Sequence, residues 1–127
     1  RRLGENYSSI NVRIMSTIFT KIINKEIKAN IVYEDSDVLA FEDVNPQAPI
    51  HILIIPKKEI ETANHIEAED AELIGKLFLT AKKIAKEKKI DKNGYRLVMN
   101  CNGDGGQTVF HIHLHLLAGR RLSWPPG

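Results

Sequence analysis

Three of the five histidines in this 127-residue chain stand at alternate positions, His111, His113 and His115, and the residues between and after them, Ile112, Leu114 and Leu116, are aliphatic. Imidazole has an unperturbed pKa of about 6.5, so near neutral pH it can serve as nucleophile, acid, base or metal ligand. A period of two is the pattern of a half-buried strand, which sends all three rings to one face and the aliphatics to the other. A slip of one residue would exchange the two sets, so the register is strongly specified. Three roles fit such a face. The rings can be simple surface polarity. They can hold zinc, although a rise of about 3.4 Å per residue sets the outer two about 13–14 Å apart at the backbone, so one ion takes two rings easily and the third only with strain. Or one ring attacks an electrophile, which requires the right tautomer, a free nitrogen aimed at the target, and donors to receive negative charge. The preceding turn, Asp104-Gly105-Gly106-Gln107-Thr108, suits an anion: its glycines let N–H groups approach closely, and Gln107 and Thr108 carry side-chain donors.

Other elements must carry these groups. The nearly continuous apolar run His51-Ile52-Leu53-Ile54-Ile55-Pro56 predicts a central strand covered on both faces. His51 is then either a core residue or part of the site, according to whether the strand order brings it beside the triplet. Tyr95 to Cys101 alternates as a strand and is expected to pair with the histidine strand across the loop 102–106. Ile31 to Glu34 and Val38 to Phe41, joined by Asp35-Ser36-Asp37, predict an antiparallel hairpin. In the segment Glu42 to Pro49, Pro46 and Pro49 end the strand and hold an extended loop, where Asp43 forms a turn or accepts hydrogen bonds from a bound diol.

Asp70 to Lys89 repeats apolar residues at steps of three and four, a helix of about 30 Å that covers one sheet face. Ser16 or Thr17 can cap a short helix carrying Ile18, Phe19, Ile22 and Ile23, with Ile27 beyond its end; this face packs into the core unless it lines a cleft. His65 has no assigned role. The prolines of the ending Trp124-Pro125-Pro126-Gly127 bar a strand there, and its tryptophan suits docking on its own domain or on a second subunit.

One domain of this length buries about two thirds of its unfolded surface without disulfides. The lone Cys101 has no intrachain partner, which fits a reducing compartment, and neither a transmembrane stretch nor a secretory h-region is expected from the hydropathy. A net charge of +2 is too small to argue for nucleic acid. Lys76, Lys82, Lys83, Lys86, Lys88, Lys89 and Lys92 cluster on the helical pattern, with Glu87 and Asp91 among them, as a solvated face does. Residues 1–15 are expected to be a disordered extension, with Met15 as a natural start, and residues 16–127 a single domain.

The run His111-Ile112-His113-Leu114-His115-Leu116-Leu117 resembles the signature of the histidine triad (HIT) family, and within it the Hint branch of purine nucleoside phosphoramidases. Supporting matches extend from Ile18-Phe19 through Ala40-Phe41-Glu42-Asp43, Pro46-Gln47-Ala48-Pro49, His51, Ile55-Pro56-Lys57-Lys58 and Asp104-Gly105-Gly106-Gln107 to the Trp124-Pro125-Pro126-Gly127 end. The resemblance implies an α+β fold: a five-stranded antiparallel sheet with one main helix and a short N-terminal helix, the sheet continued across a homodimer. It also implies a purine nucleotide substrate of AMP or GMP type, no metal or other cofactor, no nucleic-acid or membrane partner, and a place in the cytoplasm and also the nucleus. His113 would be the nucleophile, supported by His51, His111, His115 and Thr108. Asp43 and Val44 would meet the ribose, and Asn100, Gly106, Gln107 and Thr108 would surround the phosphate, with Val109 a further nucleotide contact. Ile18, Phe19, Ile22, Ile27, Phe41 and Leu53 would wall the base pocket. The branch usually has serine where this chain has Thr108, and threonine there also occurs in the Fhit-like branch, which cleaves dinucleoside polyphosphates. That activity, and a nucleotide-binding interaction role in which catalysis is secondary, are the alternatives the sequence leaves open.

Overall fold

The computed structural model describes residues 17–127; the expected extension and Ser16 lie outside that range. Thr17 caps helix α1 (Ile18–Ile23), its Oγ1 accepting from the Thr20 N–H at 3.3 Å. Next come β1 (Ile31–Glu34) and β2 (Val38–Glu42), the expected hairpin. Its turn is closed by Asp35, whose Oδ1 accepts from the Asp37 and Val38 amides at 2.8 Å each. Strand β3 (Ile50–Pro56) follows, then α2 (Ala71–Glu87), β4 (Arg96–Val98), the single turn α3 (Asn102–Gly105) and β5 (Leu114–Ala118). The five strands form one antiparallel sheet in the order β1-β2-β3-β5-β4, so β3 is central as its composition predicts.

The period of two in β3 serves two cores. Ile52 and Ile54 pack with Leu114, Leu116 and Ile112 under α2, which contributes Leu77, Ala81, Ile84 and Ala85, all fully buried. Leu53 and Ile55 face the other way, with Leu39 and Phe41, and are covered by Phe19 and Ile22 of α1. No helix among the described residues is long and apolar enough to cross a membrane.

Two expected strands are shorter than their patterns suggest. The histidine run is strand only from Leu114, so His111 and His113 precede β5 in an irregular segment. The cause is Pro56: β3 ends there, and Ile54↔Leu114 is the last paired position. Farther back, a single bond from the Ile112 N–H to the Ile60 carbonyl at 2.8 Å replaces the ladder. Likewise Tyr95 to Cys101 pairs only over Arg96–Val98, with Val98 opposite His115 as the last paired position. The glycine-rich loop that joins them contains the α3 turn, closed by Gly106 at a φ of 83°.

Candidate active site

Register places the histidines on the α1 face of the sheet. Leu53 is directly opposite His115 and His51 opposite Leu117, so His51 and His115 are diagonal neighbours on one face. His51 Nε2 and His115 Nδ1 are 2.8 Å apart, which resolves the open question in favour of His51 as part of the cluster. The rings of His113 and His115 stand 4.9 Å apart, and Phe19 lies edge-on to His113 at 5.0 Å and to His111 at 6.2 Å. Period-two alternation therefore survives beyond the strand's formal end. The face is not solvated, however: α1 roofs it, leaving His111 1% and His113 6% exposed.

Main-chain partners assign the proton on two of these rings. The carbonyl of His111 can only accept, so His113 carries its proton on Nδ1, donated at 2.8 Å, and keeps a lone pair on Nε2. The carbonyl of Pro56 likewise accepts from His111 Nε2 at 2.7 Å, leaving Nδ1 of that ring unprotonated. Burial, which disfavours the charged ring, is the main cause that lowers the pKa of His51, His111 and His113. It also lowers His115, to about 4, with the neighbouring charges of His113 and His51 adding to the effect. All four rings are thus held neutral at neutral pH.

Asp43 stands at the rim, its Oδ2 3.4 Å from His51 Nε2 and its Oδ1 accepting from the Asn45 N–H at 2.8 Å. It therefore makes the expected turn while leaving part of its carboxylate toward the cluster. Asp43, His51 and His115 bring one possible ligand atom each within 4.8 Å of one another. The 2.8 Å separation of the ring nitrogens is that of a hydrogen bond. Two nitrogens on tetrahedral zinc, at bonds of about 2.0–2.1 Å, sit about 3.3 Å apart.

The glycine turn departs from expectation. The Gly106 and Gln107 amides donate within the turn, to Gly103 and Asn102 carbonyls. The Gln107 side chain is buried and fully committed: Nε2 donates to the Glu61 and Val109 carbonyls at 2.8 and 3.0 Å, and Oε1 accepts from the Asn102 N–H at 2.9 Å. Gln107 therefore braces the loop and offers no donor to an anion, because two main-chain carbonyls compete for its amide. Thr108 is exposed, Val109 is half-buried against the α1 core, and Asn100 lines a cleft of about 760 Å³ with His51, His115 and Gly105.

The apolar residues expected around a base divide into floor and rim. Phe19, Phe41 and Leu53 are buried beneath, Ile18 is half-exposed, and Ile22, Ile27 and Val44 line a pocket of about 430 Å³. Sequence reasoning missed the main-chain groups that hold the cluster: the carbonyls of Pro56, Ile60 and Glu61, and the Gln47 N–H, which donates to His51 Nδ1 at 3.0 Å. Every residue has such groups, so side-chain types carry no mark of them; the stiffness of Pro46-Gln47-Ala48-Pro49 was the one available signal.

Fold and site together define an α+β protein with a dry histidine cluster of set tautomers beside an apolar pocket. Comparison with known proteins places it. The HIT domain model matches residues 24–122, and the chain belongs to the HIT family. An uncharacterized HIT-like protein of Synechococcus elongatus is 56% identical over 111 residues, covering 87% of this chain and 96% of that protein. The crystal structure of a HIT family hydrolase from Legionella pneumophila superposes with a TM-score of 0.85 at 53% identity, over 87% of this chain and 98% of that one. A histidine triad nucleotide-binding protein from Candida albicans gives 0.75 at 31% identity, over 87% and 83%. The chain therefore has the fold of the HIT family hydrolases.

Proposed function

We propose that this HIT protein hydrolyses purine nucleoside 5′-phosphoramidates of AMP-amine or AMP-lysine type, as the Hint branch does. The observation that carries this is the His113 tautomer: a buried neutral ring whose Nδ1–H is tied to the His111 carbonyl, so that Nε2 holds the free electron pair. In the first half-reaction Nε2 attacks phosphorus, the P–N bond breaks, and the nitrogen leaves with its electron pair and gains a proton. Water then cleaves the nucleotidyl-His113 and restores the neutral ring. The pocket at Ile22, Ile27 and Val44 suits a flat base, and Asp43, next to Val44 in the chain and 3.4 Å from His51, would meet the ribose hydroxyls. The likeness to the histidine triad nucleotide-binding protein of Candida albicans supports a nucleotide as the ligand.

Replacement of His113 by Ala is expected to lower kcat/KM by about 10³-fold or more while nucleotide still binds, and mass mapping of wild-type protein quenched during turnover should find the nucleotidyl group on His113. Full turnover by the variant would reject the assignment. Thr108, in place of the branch's usual serine, makes leaving-group preference the point to measure. Initial rates on adenosine phosphoramidate are expected to exceed those on diadenosine triphosphate; the reverse order would move the protein to the dinucleoside polyphosphate hydrolases. A homodimer joined along β4 belongs to the same proposal, supported by the edge position of that strand and by Trp124, which is 80% exposed beside it.

A further inference from the structure

His51 is the one histidine of the cluster whose Nδ1 faces a main-chain donor. The Gln47 main-chain N–H reaches that atom at 3.0 Å, and an amide hydrogen can be received only by a lone pair. His51 is therefore protonated on Nε2, whose nearest acceptor is His115 Nδ1 at 2.8 Å, with the Asp43 carboxylate farther off at 3.4 Å. His115 Nδ1 must then be unprotonated, and a neutral His115 carries its hydrogen on Nε2. That atom is buried and has no partner among the described residues. A dry unpaired donor costs about 1–3 kcal/mol, which a substrate oxygen or nitrogen can recover on binding.

We infer that Gln47 N–H, His51 and His115 form a one-way hydrogen-bond chain which presents a fixed Nε2–H donor to the substrate and cannot relay protons. A relay would pass the His115 Nε2 proton to the departing nitrogen, move the His51 Nε2 proton onto His115 Nδ1, and reload His51 at Nδ1. The last step is blocked, because that site is occupied by an amide hydrogen that does not ionise. His51 would be left an anion. Over a full cycle one water then supplies both parts: its proton to the departing nitrogen and its hydroxyl to phosphorus, while the chain neither gains nor loses a proton. The blocking group is itself braced. Arg120 donates from Nη2 to the Gln47 carbonyl at 3.0 Å, and Gln47 Nε2 donates to the Asn45 carbonyl at 3.0 Å. The charged and titratable groups facing the pair are Asp43 and His113, and burial keeps both rings neutral. His51 is in this account a positioning residue, acting through His115.

The inference rests on the hydrolase reading, so the test begins with wild-type protein and adenosine phosphoramidate; absence of turnover would count against that reading alone. Protonation is then read directly from long-range 1H–15N spectra of the resting protein. Both His51 and His115 should show unprotonated Nδ1 and protonated Nε2 from about pH 7.5 to 9. A doubly protonated or Nδ1–H His51 in that range would overturn the inference. Kinetics provide the second arm. His51→Gln keeps an N–H donor at the place of Nε2 but can carry no proton, whereas His51→Ala has neither. A fixed donor predicts that Gln recovers about tenfold or more of the kcat lost in Ala, with the pH profile of kcat unmoved. A relay predicts that both variants lose the same factor, about 10²–10⁴, and that the profile shifts.

Discussion

At His113 the decisive contact is made by a main-chain carbonyl two residues earlier, and the same economy recurs at His111 and His51. Main-chain partners move little, so the tautomers they set are held through the reaction. Gln107 does comparable work for the loop, and its side chain satisfies three main-chain groups at once. Gln107→Ala should therefore destabilise the protein by about 1–3 kcal/mol, read from chemical denaturation, since two carbonyls and one N–H lose their partner. A change below about 0.5 kcal/mol would show that water replaces the amide without cost. The buried rings also predict a pH dependence. An unfolded histidine binds its proton at about pH 6.5, whereas folded His115 does so at about 4. The stability that its burial permits is complete above about pH 6.5 and is lost as pH falls toward 4, because the unfolded state then binds the extra proton. Melting temperature should decline through that window, and His115→Asn should flatten part of the slope.

The elements are built so that short pieces hold the site against long ones. Helix α1 has only six residues, too few to be stable alone, and survives because Phe19 and Ile22 are buried on the sheet face opposite α2. The loop between β2 and β3, which carries the Gln47 amide, is held from outside by the turn after β5. Gly119 there has a φ of 96°, and a Cβ on it would come within 2.8 Å of Pro49 Cβ. Gly119→Ala is thus expected to cost about 1–3 kcal/mol through left-handed strain alone, and to push the loop away from His51. Its kcat should fall more than its nucleotide affinity. Wild-type stability together with wild-type kcat in this variant would show that the turn relaxes without transmitting the clash.

For the molecule as a whole, the open question of assembly bears on β4, a three-residue strand at the sheet edge, with the exposed Trp124 beside it and Arg96 Cζ 6.0 Å from its ring. If two copies pair there, sedimentation will show a dimer, and Trp124→Ala, which removes the exposed ring beside that edge, will shift it toward monomer; a monomer at every concentration would refute the pairing. Much of this architecture was legible from residue order. Alternation at Ile112, Leu114 and Leu116, the apolar run of β3 and the three-four spacing of α2 report which side of an element is buried, because burial is a property of single side chains repeated at the element's own period. The spacing of His111, His113 and His115 likewise foretold one shared face, and the HIT signature pointed to the family. Tertiary structure alone decided where the strand stops, that α1 turns the histidine face into an interior, that Gln107 braces the loop instead of meeting an anion, and which nitrogen of each ring bears the proton. Those features depend on carbonyls and amides arriving from distant segments, and main-chain groups are alike at nearly every position of a sequence, so only their placement in space distinguishes them.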